Sequence, residues 1–160
     1  MTVTEYNRQK ATDYAQKWAF GRNPAYTNFD KMGGDCTNFV SQCLYAGSGV
    51  MNHTKVFGWY YYSINSRTPS WTGVPYLYNF LVGNKGMGPF AEVTSRAYVL
   101  PGDLVQLGTE SGHFYHSPII VGVDENDIYV AAHTDDAYMR PLSTYVYDQA
   151  RFLHIAGVRK

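Results

Sequence analysis

One cysteine in this chain stands where a thiol acts as a nucleophile. In Gly33-Gly34-Asp35-Cys36-Thr37-Asn38-Phe39-Val40-Ser41-Gln42-Cys43-Leu44, paired glycines permit a sharp turn, Asp35 can cap a helix, and Cys36 falls in the first helical turn. The helix dipole favours a thiolate there, and such sites bring thiol pKa values to about 3.5–7.5. A cysteine so placed attacks a carbonyl once a base has taken its proton. Free cysteine is also among the most buried residue types, so a packing cysteine on an amphipathic helix fits these residues equally well.

Cys43 is the only other cysteine, seven positions on. Two helical turns separate the Cα atoms by about 10 Å, beyond the roughly 7 Å a disulfide spans. Both thiols are therefore expected free. Five histidines compete as the base: His53, His113, His116, His133 and His154. An expected hairpin selects among them. If Val123 and Ile128 flank a turn over 124–127, Asp135 opposes His116, and His133 opposes Pro118. Closing the hairpin two residues tighter opposes His116 to His133 directly. Both registers put His116, His133 and Asp135 on one face, which supplies an imidazole base with a polar neighbour to orient it. His113 reads as a loop histidine, and His53 and His154 as structural or exposed. Zinc is disfavoured, because no C-x-x-C or H-E-x-x-H spacing exists and a fourth ligand is missing.

The elements that must position these residues follow from periodicity. Ala11, Tyr14, Ala15, Trp18 and Ala19 share one face of a helix over 4–20, ended by Gly21. A second helix over about 35–46 puts Cys36, Phe39, Val40, Cys43 and Leu44 on one stripe, with Gly47 and Gly49 as stops. The aromatic-rich stretch 50–71 has no clear assignment. A short helix over about 72–82 precedes a glycine-containing connection over 84–96. Strands then follow over 104–107, 114–123, 128–132 and about 152–158. Helices before an antiparallel sheet argue for an α+β fold in one domain spanning 1–160.

Composition narrows the function classes. The 13 basic and 13 acidic residues balance, so no basic surface suggests nucleic acid. No run reaches the length of a membrane-spanning helix, and no secretory signal opens the chain. Fifteen tyrosines and three tryptophans either build strands or line a groove.

The residues carry a resemblance. Asn23-Pro24-Ala25-Tyr26, the run Gly34 to Leu44, Gly58-Trp59-Tyr60-Tyr61, Ser70-Trp71-Thr72-Gly73-Val74, His116-Ser117-Pro118-Ile119-Ile120-Val121 and Ala132-His133-Thr134 together resemble the amidase domain of Gram-positive bacteria and their phages. That family is similar to CHAP-like and NlpC-like cell-wall peptidases, and the resemblance covers roughly residues 5–158. It implies a papain-like fold with Cys36 as nucleophile, His116 as general base and His133 orienting His116. Tyr26 is implied beside the site, as an oxyanion donor with the Cys36 amide. Trp59 and Trp71, with Phe57, Tyr60 and Tyr61, are expected to wall a groove, and Asp135 competes with His133 as third residue. The implied reaction is cofactor-free amide hydrolysis in peptidoglycan through a thioester, at a stem peptide or the muramoyl–alanine bond. The protein is expected as a monomer acting on the cell wall, secreted or released by phage. The alternatives are a papain-like acyltransferase with the same Cys36 and His116, and a non-catalytic wall-binding module. Residues 47–95 exceed the cysteine-to-histidine connection of compact NlpC-like domains, which leaves the groove's shape open.

Overall fold

The chain enters as a strand. In the computed structural model, which describes residues 1–160, Val3–Thr4 (β1) pairs with the last strand, Val3 opposite Arg159. The first helix is therefore shorter than periodicity suggests. It runs Arg8–Trp18 (α1), and Asn7 caps it by accepting the Lys10 amide at 3.0 Å. The helix Cys36–Ser48 (α2) follows, closed by Gly49 at φ 73°.

Next come the hairpin Tyr61–Ser63 (β2) and Ser66–Arg67 (β3), and the helices Pro69–Thr72 (α3) and Val74–Gly83 (α4). The stretch read as a glycine connection forms Gly88–Thr94 (β4). The remaining strands are Leu104–Gly108 (β5), Phe114–His116 (β6), Ile119–Val123 (β7), Ile128–Ala132 (β8), Ala137–Pro141 (β9) and Gln149–Arg159 (β10). Pro118 lacks an amide and interrupts what the sequence reads as one strand over 114–123.

All strands but β2 and β3 join one antiparallel sheet in the order β1-β10-β5-β7-β8-β9, with β4 also on β10 and β6 also on β5. This is an α+β fold, mixed helix and antiparallel sheet. The sheet is buried on both faces, and alternation along β5 shows how. Leu104 faces a core shared with α1, α2 and α4, which includes Phe39, Leu77, Ile119, Ala131 and Leu153. Val105 and Leu107 face a smaller core with Ile120, Val130 and Leu142.

The cysteine helix is not a surface helix with one apolar stripe. Eleven of its thirteen residues are buried, so its polar side chains need partners inside the protein. They have them. Gln42 accepts from the Tyr14 hydroxyl at 2.6 Å, Ser41 accepts from Trp59 Nε1 at 3.1 Å, and Asn38 accepts from Trp71 Nε1 at 3.1 Å. The aromatic stretch thus covers the polar flank of α2. Trp59 and Trp71 are fully buried and 4.7 Å apart between ring centres. They are core and do not wall a groove, because their indole N–H groups serve α2.

No helix is long and apolar enough to cross a membrane.

Candidate active site

Gly33 and Gly34 turn the chain into α2 with φ of 96° and 105°, values that L side chains rarely adopt. Asp35 follows, but its carboxylate does not cap the helix. Oδ1 instead accepts from the Phe29 amide at 2.8 Å and from Asn38 Nδ2 at 2.9 Å. Oδ2 lies 2.6 Å from His133 Nδ1 and 3.5 Å from the Arg22 guanidinium. Burial pushes the Asp35 carboxyl up, yet the bonds from His133, Asn38 and Phe29 outweigh it and hold it below the usual carboxylate value.

Cys36 sits at the helix start, 9% exposed, with Thr37 Oγ1 3.7 Å from its sulfur. The backbone of Ser117 and the hydroxyl and backbone of Thr37 favour a thiolate, but burial is the larger effect and Asp35 adds to it. The thiol is therefore raised above its ordinary value, where dipole reasoning alone expects it lowered. Cys43 is fully buried and raised further, and both thiols are free.

Ser117 follows His116, the last residue of β6. No hydrogen bond joins the imidazole to the thiol. His116 is half-buried, 5.7 Å from the Tyr145 ring. Burial, then the positive charge of Arg140, pull its pKa down to about 4, and Asp135 opposes them. The Arg140 guanidinium lies 3.6 Å from the centre of the Tyr145 ring, and the Tyr145 hydroxyl is buried with no hydrogen-bond partner.

His133 is elsewhere. The hairpin begins as expected, Val123 opposite Ile128, but the register shifts between Ile120 and Gly122, and beyond that point Ile120 opposes Val130. A bulge of one residue flips every later side chain to the other face. His133 therefore faces α2, stacked on Phe39 at 4.0 Å, and His116, opposite Leu107, faces the smaller core. The His133 ring also meets the Trp18 carbonyl through Nε2 at 2.8 Å. Both ring nitrogens are thus engaged, and neither is left for His116. The expected pairing of His133 with His116 is not formed.

Asp135 acts on His116 through its charge, with no hydrogen bond between them. It is exposed in a tight turn where Thr134 and Asp135 hold φ of 57° and 60°. Left-handed backbone is unusual for the β-branched Thr134, whose hydroxyl accepts the Asp35 amide at 2.9 Å. Arg22 clamps the same turn, bonding Asp136 at 2.9 Å and Asp30 at 2.8 Å. Tyr26 stacks on Trp71 at 6.1 Å, and burial raises its hydroxyl to about 12. Its neighbour Thr27 accepts from Asn38 in the first turn of α2 at 2.9 Å.

Sequence reasoning missed Ser117, Arg140 and Tyr145. Only the first left a signal, since the following proline frees the local backbone from the ladder. A cavity of about 550 Å³, lined by residues that include Asn52, Phe57, Phe80, Asn84 and Lys85, includes neither Cys36 nor His116. No cluster of three His, Cys, Asp or Glu side chains is arranged to hold a metal ion.

Comparison with known proteins adds a family. A family model described as "Putative amidase domain" matches residues 5–156. An uncharacterised protein of Bacillus subtilis strain 168, YhbB, is 36% identical over 140 residues, which is 85% of this chain and 44% of the relative. The chain thus spans less than half the length of that relative. No solved structure matches.

Proposed function

We propose, for a chain that belongs to the putative amidase domain family, that Cys36 and His116 hydrolyse an amide bond of peptidoglycan through a thioester. The observation that carries this reading is a free thiol at the N-terminus of a buried helix, where the backbone of Ser117, next in sequence to His116, favours the thiolate. The sequence resemblance to papain-like cell-wall peptidases supports both the residue pair and the substrate.

The chemistry proceeds from a neutral pair. As the sulfur approaches the amide carbonyl, His116 takes the thiol proton and a C–S bond forms. The oxyanion is met by amides at the start of α2, with Tyr26 the candidate side-chain donor. Imidazolium returns the proton to the leaving amine as the C–N bond breaks. Water, deprotonated by His116, then attacks the thioester and releases the acid and the free thiol. Asp135, with Tyr145 packed beside the ring, is the neighbour that steadies His116. His133 holds Asp35 and thereby the start of α2.

Purified cell walls incubated with the protein should release amino groups, and Cys36→Ala or His116→Ala should abolish release without lowering the melting temperature by more than a few degrees. Release that persists in Cys36→Ala overturns the cysteine mechanism. Fragment masses identify the bond cut, and an added amine that captures the acyl group would mark a transferase.

A further inference from the structure

The arginines of this protein divide by partner. Arg8 meets Asp103, Arg22 meets Asp30 and Asp136, and Arg96 meets Asp127. Arg151, on β10, meets no carboxylate, yet it is among the most firmly held of them. Its Nε and Nη2 both donate to Gln106 Oε1, at 2.8 and 2.6 Å. Its guanidinium carbon lies 3.6 Å from the centre of the Tyr78 ring and 3.9 Å from that of Phe114. Two rings that close cannot share one face of the guanidinium, so the cation is sandwiched between α4 and β6.

Gln106 is itself rigid. It is fully buried, and its Nε2 donates to the Val74 carbonyl and to Ser117 Oγ, each at 2.9 Å. Ser117 is the residue whose backbone favours the Cys36 thiolate. A chain of fixed groups therefore runs from Ser117 through Gln106 to the guanidinium. The edge not used by Gln106, Nη1 with the second Nη2 hydrogen, has no partner in the protein. It also faces solvent, since Tyr145 supplies the one buried side-chain polar atom without a partner.

A planar fork with its faces stacked, one edge anchored and the other edge open is prepared for a carboxylate, which it can bind with two parallel bonds. The burial that depresses the Arg151 pKa raises the value of such a counter-charge. We infer that Arg151, between Tyr78 and Phe114, is a recognition site for a free carboxylate on the peptide whose amide Cys36 attacks. The inference rests on the proposed function for its substrate, and on this geometry alone for its ligand class. It assigns a specificity role to Arg151 and a positioning role to Gln106.

The probes are N-acetyl-alanyl-glutamate and its fully amidated analogue, titrated into the intact wild-type protein while the arginine Nε–Hε resonances are followed by NMR. The acid should shift the Arg151 resonance and bind about tenfold or more tighter than the amide, the scale of one charge-assisted contact. Arg151→Met should lose that preference and Arg151→Lys should recover part of it. Equal binding of the two probes to wild type, or a preference that survives in Arg151→Met, overturns the inference, and the wild-type comparison holds even if a variant fails to fold. Wall digestion separates the two readings. Selective binding without digestion sinks the proposed function and leaves the carboxylate site standing. Digestion with Arg151→Met unchanged in kcat/KM for acidic and amidated stem peptides does the reverse.

Discussion

At the scale of residues, Cys36 and His116 are shifted in opposite directions, the thiol up and the imidazole down to about 4, so both rest uncharged at neutral pH. The rate consequence follows from which form can start the reaction. Protonated His116 cannot accept the thiol proton, so kcat/KM should have an acid limb near pH 4 and a plateau through neutrality. A bell with a basic limb near neutrality would indicate a resting thiolate–imidazolium pair instead. Cys36 should accordingly react slowly with iodoacetamide at pH 7 and speed up as the solution rises past pH 9.

The same shift bears on stability. The unfolded chain takes the His116 proton as pH falls through about 6.5, and the folded protein only near 4, so protonation favours unfolding in that window. Stability is full above about 6.5 and declines toward 4, by roughly 3 kcal/mol when the shift is converted at 1.36 kcal/mol per unit. His116→Asn should flatten that part of the melting-temperature profile relative to wild type. Cys36 was legible because glycine, an acid and an apolar repeat mark a helix start. The direction of its pKa was not, because burial by β6 and the loop before α2 is a tertiary effect that no local pattern carries.

At the scale of elements, one bulge separates two histidines that strand parity puts together. The register shift near Val121 costs no residue type its usual place, so nothing in the composition of β7 announces it. The helix–sheet order was readable, as were the Asp124–Asp127 turn and the strands after Pro101-Gly102-Asp103. The strands β4 and β9 were not, since Gly88 and Pro89 look like a loop and β9 alternates weakly.

What the bulge creates is a buried pair of Asp35 and His133 at the head of α2, with the half-buried Arg22 guanidinium 3.5 Å from Asp35. Removing either Asp35 or His133 leaves the other short of a buried bond, so Asp35→Ala or His133→Leu should cost about 1–3 kcal/mol in chemical denaturation. A loss below about 1 kcal/mol would mean that the pair is dispensable. The tryptophan pair makes a parallel case. Trp71→Phe keeps the ring but strands the Asn38 carbonyl oxygen, and the same assay should register about 1–3 kcal/mol.

At the scale of the whole molecule, the two faces of one sheet carry different duties. The face toward α1, α2 and α4 holds the larger core, the Asp35–His133 pair and the Ser117–Gln106–Arg151 chain, and the other face holds the smaller core with His116 and Tyr145. The strand that ends at His116, β6, is bonded only to β5, off the main path of the sheet. The pairing of β1 with β10 has a consequence at the opposite extreme of scale. Thr2 and Lys160 exchange backbone hydrogen bonds at 2.9 and 3.0 Å, so a few glycines and serines would join the two ends of the polypeptide. A circular permutant linked there and opened between Glu125 and Asn126, in an exposed turn, should fold and melt within a few degrees of the parent. The order in which the chain is written is therefore separable from the shape it makes.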